Sequence, residues 1–279
     1  MGKSMTRFWA LAIGMTFPVL NAAPPPAIDE ALVRLYEFDF PAAHHLLDQC
    51  IAANSQDPLP YAFRSSAYLF YELDRMGILE SEFLIDDKRI AAKKRPMSPD
   101  PATRARFLKS LEDTEIRGEA ALKANPDDRS ALFALAVAQG VATDYMALVE
   151  KRQFSSLSLA KRSNNYAQHL LKLDPEFYDA YLTAGFSEYM VGSLPFFIRW
   201  FVHFDNVTGS KERGKENLRL VAREGHYFKA FAKILLGIID LREKRPQDAR
   251  QELVDLAHDY PENPLFRKEL AQLNSRLGN

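Results

Sequence analysis

The chain has one cysteine, Cys50, among 279 residues, so no disulfide framework holds it and its stability must come from an ordinary core. Neither sign of charge dominates: 36 Lys and Arg side chains are balanced by 37 Asp and Glu, a net charge of -1. That excludes the broad positive field of a nucleic-acid binder. Glycine is scarce, at 12 residues, and none of it forms a phosphate-cradling loop or a G-x-S-x-G nucleophile turn. The H-E-x-x-H spacing of a zinc protease is also missing. Beyond residue 22 no apolar run reaches the roughly 18 residues of a candidate bilayer span, so no transmembrane segment is expected in the mature chain. No stretch alternates β-branched and polar residues in the manner of a half-buried strand.

Residues 1–22 are built differently from the rest. MGKSMTR is a short basic stretch, FWALAIGMTFPVL is apolar, and NAAPPPA supplies small residues before a run of prolines. These are the parts of a secretory signal peptide, with cleavage expected after Ala22 or Ala23. An exported chain without disulfides fits the bacterial periplasm.

Over its whole length the chain is 47% hydrophobic and 26% charged, an ordinary globular balance. Beyond the first segment, Ala, Leu, Glu, Lys and Arg recur at helical spacing, which predicts an all-α protein. Pro58, Pro126, Pro175, Pro246, Pro261 and Pro264 stand at the ends of periodic segments, where proline stops one helix or opens the next.

Gly237, Ala249 and Pro261 fall at equal intervals of twelve residues, with Leu236, Leu253 and Leu256 between or beside them. Small residues at 237 and 249 let two helices approach, the leucines pack inward, and the proline ends the unit. This looks like a tetratricopeptide repeat of about 34 residues. Partial copies pair Ala31 with Ala43, Leu47 and Cys50; Pro126 with Leu132 and Ala136; and Pro175 with Tyr181, Ala184 and Gly185. The expected fold is therefore a tetratricopeptide-like α-α superhelix, a solenoid of antiparallel helical hairpins with a concave surface. Cys50 lies on an apolar stripe and reads as a buried small hydrophobe.

Two stretches interrupt the pattern. Asp86 to Lys109 holds eight basic and three acidic residues with Pro96, Pro99 and Pro101, so residues 86–102 read as a basic connection between N-terminal hairpins at 27–85 and a larger superhelix at 103–277. Further on, Phe196, Phe197, Trp200, Phe201 and Phe204 put five rings into nine positions. Their spacing predicts an inserted amphipathic helix whose rings fill a gap in the core, with Thr208 or Ser210 capping the next helix.

The run from Gly192, Leu194 and Pro195 through the aromatic helix to Gly209, Gly214 and Leu218 resembles bacterial tetratricopeptide-repeat proteins related to the eukaryotic family that includes the yeast inclusion-body clearance protein and its animal counterparts. The resemblance covers roughly residues 110–277, and the chain carries Ser210 and Lys211 where those relatives often begin acidic. It implies a helical scaffold without established enzyme chemistry.

Side chains suited to catalysis are sparse. His45 and Asp48 share a helix face while His44 is turned away, so this group reads as helix surface and no metal centre is expected. Asp174, Glu176 and Asp179 are best explained by unpaired backbone N–H groups at a helix start, and His258 with Asp259 by a helix end. No cofactor and no reaction are expected. The function expected is non-enzymatic binding of another envelope protein, or a peptide segment of one, on the concave helical surface. The alternative is a periplasmic carrier that takes an apolar small molecule or lipid near residues 196–204. The residues expected at the contact are Tyr181, Glu188, Arg199, Trp200, Phe201, His203 and Arg219.

Overall fold

Asn54, Asn125 and Asp174 each end a helix with the same set of hydrogen bonds. The backbone N–H of each reaches the carbonyl four residues back, at 3.0, 2.8 and 2.8 Å, and the carbonyl of each receives the N–H three residues on. Their side-chain Oδ1 atoms accept the N–H two residues on, at 3.2, 3.2 and 3.1 Å. Short polar side chains offer the backbone such an alternative to continued helix, and the neighbouring prolines forbid continuation. Opposite ends of the hairpins carry a second recurring device. Phe38, Gly77 and Lys244 have positive φ of 64°, 65° and 60°, and the residue after each donates its N–H to the carbonyl five residues back, the Schellman arrangement.

The structure, a computed structural model, describes residues 28–86, 88, 97–194 and 207–278. The expected signal peptide, most of the 86–102 connection, and the aromatic helix at 196–204 lie outside the described residues. Every regular element among those described is helical. The α-helices are α1 (Ile28–Tyr36), α2 (Phe40–Ala53), α3 (Leu59–Arg75), α4 (Ser81–Leu84), α5 (Pro101–Ala124), α6 (Arg129–Asp144), α7 (Gln153–Leu173), α8 (Tyr181–Ser193), α9 (Lys211–Glu224), α10 (Lys229–Arg242), α11 (Pro246–Asp259) and α12 (Pro264–Leu277). A π-helical turn, Tyr145–Val149, comes directly after α6, and a 3-10 turn, Tyr178–Ala180, precedes α8. Asp39, Asp100, Asp128, Ser210 and Asn263 cap the helices they precede through side-chain oxygens. Of the two expected caps for α9, Ser210 is the one used.

Most helices pack chiefly on those next to them in the chain, so the molecule is an all-α bundle of repeated neighbour-on-neighbour contacts. Most of the small and large positions inferred from spacing are in the core: Ala31, Ala43, Leu47, Leu132, Ala136, Ala184, Leu236, Ala249 and Leu256 are buried, as is Cys50, whereas Tyr181 and Leu253 are half-buried. Burial pushes the Cys50 thiol pKa up. Gly237 behaves differently from the expectation. A Cβ there would lie 3.8 Å from Glu252 Cβ, ordinary contact, so alanine would fit.

The row of helices also curls back on itself. Phe63 of α3 meets Tyr227 and Phe228, at the start of α10, with ring centroids 5.4 and 5.9 Å apart, and Phe133 of α6 stacks on Tyr227 at 5.5 Å. Phe70 reaches Phe231 at 5.6 Å and Tyr36 reaches Tyr260 at 5.3 Å. Near this junction the buried Asn263 amide donates to the Tyr36 carbonyl at 2.5 Å. Lys268 pairs with Glu80 at 2.6 Å, and Arg276 with Glu82. The first hairpins and the last helices thus share one aromatic core. Residues Arg129–Val149, the α6 helix with its π-helical turn, are long and apolar enough by length and composition to cross a membrane, and the α6 part supplies nine buried residues to this protein's core.

Candidate functional site

Three glycines bring α8 and α9 into backbone contact. A Cβ on Gly185 would lie 2.9 Å from the Gly214 carbonyl, one on Gly214 would lie 2.6 Å from the Tyr189 nitrogen, and one on Gly192 would lie 2.6 Å from the Gly209 carbonyl. Real side chains do not tolerate such distances, so glycine is required here by close approach. Gly209, at φ 73°, turns the chain into α9.

Glu188 fixes the same junction electrostatically. Its carboxylate is buried on α8 and accepts the N–H of Thr208 at 3.0 Å and of Ser210 at 2.9 Å. The Thr208 hydroxyl donates at 3.2 Å, and the Arg213 guanidinium stands 3.7 Å away. These donors replace the water shell that burial takes from the carboxylate. Glu188 therefore ties the start of α9 to the body of α8.

A cleft of about 340 Å³ opens above this base. From α7 it receives Gln168, Leu171 and Lys172; from α8, Tyr181, Ala184 and Glu188; from α9, Arg213 and Asn217. Spacings of three, four and seven place each set on one helix face. Lys172 and Arg213 are exposed cations, with no acidic side chain but Glu188 in the lining. The Gln168 and Asn217 amides, the Tyr181 hydroxyl and the Lys172 ammonium make no side-chain hydrogen bond or ion pair among the described residues, so their donors are open to a ligand.

Two of the expected contact residues, Tyr181 and Glu188, come together in this cleft. Arg219 does not join them. It is exposed on α9 on the side toward α10 and α11, where its charge favours ionisation of Asp240 and Glu252. Arg199, Trp200, Phe201 and His203 lie outside the described residues. Sequence reasoning missed Gln168, Lys172, Arg213 and Asn217. The signal available was Gly214: Arg213 and Asn217 flank the glycine that marks the α8 contact, and so must border it.

A second cleft, of about 330 Å³, lies where the starts of α3 and α6 meet the turns before α8 and α10, with Leu59, Ser130, Phe133, Asp179 and Tyr227 among its walls. Asp179 is spent structurally, accepting the backbone N–H groups of His226, Tyr227 and Phe228 at 2.9, 3.0 and 2.8 Å. The expectation that this carboxylate serves helix N–H groups is correct in kind, but the helix served is α10 and not its own. Burial raises its pKa against the lowering effect of those bonds.

Of the histidine pair, His44 is the one that departs from expectation. It is half-buried: its ring packs on Tyr68 with centroids 4.1 Å apart, and burial, helped by Arg64, lowers its pKa to about 4. His45 is exposed and bonds Gln49 at 2.9 Å. Among the described residues no group of three His, Cys, Asp or Glu side chains is placed to share a metal ion.

Compared with known proteins, the sequence matches no family model, no curated protein and no solved structure. The class of the protein is therefore the one its own geometry defines, an all-α bundle with a polar cleft on a glycine-locked helix pair.

Proposed function

We infer that this chain is an exported tetratricopeptide-like superhelix that holds an extended segment of another envelope protein in the cleft between α7, α8 and α9, and catalyses no reaction. The recurring turn chemistry at Asn54, Asn125 and Asp174 supports the repeat reading and, with it, the resemblance to the tetratricopeptide family.

The observation that carries the binding assignment is the set of open donors over a rigid floor. Gln168, Asn217 and Tyr181 suit the carbonyl groups of an extended backbone, and Lys172 with Arg213 suits a carboxylate on it. The glycine contacts and Glu188 hold the floor in place before binding, so little ordering cost falls on association.

A photo-crosslinking amino acid introduced at Asn217, inside the cleft, tests this against the same group at Arg219, outside it. The expected result is a discrete crosslinked protein from position 217 and none from 219, lost when Lys172→Glu and Arg213→Glu are combined. Equal labelling from both positions, or an extracted apolar molecule in place of a protein, would refute it.

A further inference from the structure

Three helices, α3, α6 and α10, begin beside the second cleft, and N–H groups at each of these starts are already taken by carboxylates. Asp57 accepts the Leu59 N–H at 3.0 Å, Asp128 the Ala131 N–H at 2.9 Å, and Asp179 the three N–H groups that open α10. A helix start carries about +0.5 of an elementary charge and an ionised carboxylate a full negative one, so each capped start is left net negative. The donors at the floor that would draw in an anion are thus occupied. The α9 helix also ends here, with Glu224 in the lining, and a helix C-terminus adds partial negative charge of its own.

The lining has the same sign. It includes Glu176, Asp179 and Glu224 and no Lys or Arg. Glu176 is exposed and makes no ion pair among the described residues. Cations close by in sequence do not cancel these charges. Arg129 is held by Asp174 at 2.8 Å, Lys172 lines the other cleft, and Lys229 is exposed outside the lining. Arg223 stands 4.0 Å from Glu224 with both side chains exposed, a pairing that counts for little. His226, the one base in the lining, pairs with Asp29 at 2.8 Å. Burial first, and then the charges of Asp29, Asp179 and Asp57, push the Tyr227 hydroxyl pKa up, as a negative field does.

Aromatic rings form much of the remaining wall. Phe133 meets Phe177 and Tyr227 with centroids 4.9 and 5.5 Å apart, and Phe177, Tyr178 and Tyr227 are only half-buried, so part of each stays open. The face of such a ring attracts a cation and accepts the methylene stem that carries it. No three acids or histidines among the described residues are placed to share a metal ion, whereas carboxylates spaced around rings suit an organic cation. We propose that this second cleft binds a primary alkylammonium group, with Glu176 and Glu224 pairing with the ammonium and Tyr178 and Tyr227 holding the methylene stem. A short aliphatic amine fits a volume of about 330 Å³, at the small end of ligand pockets. Two sources offer that chemistry, a free diamine and the lysine side chain of a peptide. The site is separate from the α7–α9 cleft and stands without the reading given to that cleft.

The test is an amide NMR titration of the chain with three probes: cadaverine, Nα-acetyl-lysine amide, and pentanediol as the neutral counterpart of cadaverine. It compares the natural chain with the double change Glu176→Gln, Glu224→Gln, at exposed positions where circular dichroism should show the fold retained, and with Tyr178→Leu. The expected result is saturable shifts of the amides of residues 176–179 and 224–227 with an amine and none with pentanediol. Affinity is expected to fall at least about tenfold in the double variant and to fall also in Tyr178→Leu. Tighter binding of cadaverine would assign the site to a free amine, and equal or tighter binding of the blocked lysine to a peptide side chain. No saturable shift with either amine, pentanediol bound as well as cadaverine, or amine binding unchanged in the double variant would overturn the proposal.

Discussion

The Asp179 carboxylate receives the N–H of Phe228 at 2.8 Å across 49 residues of chain. The same carboxylate takes the two preceding N–H groups as well, so α10 is capped from the turn that begins another hairpin. Phe228, the residue held, is one of the rings that meet Phe63 and Phe133. One polar contact thereby sets the register of the aromatic core. Asp179→Ala removes all three acceptor contacts and is expected to destabilise the protein by about 2–4 kcal/mol, with Asp179→Asn costing less because one carbonyl oxygen remains. Urea denaturation of the two variants beside the natural chain measures both the size and the order.

Glu188 does for α9 what Asp179 does for α10, and its loss is more local. Glu188→Ala leaves the Thr208 and Ser210 amides without their acceptor and leaves a gap under the cleft. The expected cost is about 1–3 kcal/mol, with backbone amides of residues 208–214 exchanging with deuterium faster while those of α1 to α3 keep their rates. Uniform acceleration across the chain would show instead that Glu188 supports the whole fold. Glu188→Gln retains the size but only one acceptor oxygen, and is expected to lie between the two.

The helical class and the turns can be read from the sequence because their causes are local: a proline, an Asn or Asp two residues before the N–H it binds, and alanines at helical intervals. Asn125 with Pro126 and Asp174 with Pro175 mark ends that the structure places at the same positions. The curling of the helix row cannot be read, because Phe63 and Tyr227 belong to segments whose patterns say only that each side chain is buried. The partners of Asp179 are hidden for the same reason. The cleft is half legible: Tyr181 and Glu188 face it, but Arg219 lies two residues beyond Asn217, a rotation of about 200° that carries it to the other side of α9.

Two glycines that look alike in sequence are expected to respond oppositely to substitution. A methyl at Gly214 would collide with the Tyr189 nitrogen at 2.6 Å and the Gly185 carbonyl at 2.7 Å. These are backbone atoms of the facing helix and cannot swing aside, so α8 and α9 must separate. Gly214→Ala is expected to cost about 2–4 kcal/mol. At Gly237 the nearest atom would be 3.8 Å away, and Gly237→Ala should be neutral or stabilise by up to about 1 kcal/mol through helix propensity. Thermal melting of the two variants distinguishes them, and equal losses would contradict the tight α8 and α9 contact.

Asp144 ends α6 immediately before the π-helical turn, and burial raises its pKa from the ordinary carboxylate value to about 7. Its side chain has no hydrogen bond or ion pair among the described residues to offset that burial. The folded chain therefore holds the Asp144 proton more tightly than the unfolded chain does. Linkage fixes the sign: the group imposes no penalty below the unfolded carboxyl pKa near 4, a growing one as pH rises toward 7, and a constant one above that. Asp144→Asn keeps the shape and removes the ionisation. Equal stability of variant and natural chain is expected at pH 4, with the variant more stable by about 1–2 kcal/mol at pH 8. The difference between the chains isolates Asp144 from Glu252, whose pKa burial also raises to about 7, because Glu252 is present in both. Paired urea denaturation at the two pH values gives the answer, and a difference that does not change with pH would mean that Asp144 keeps its charge by contact with water.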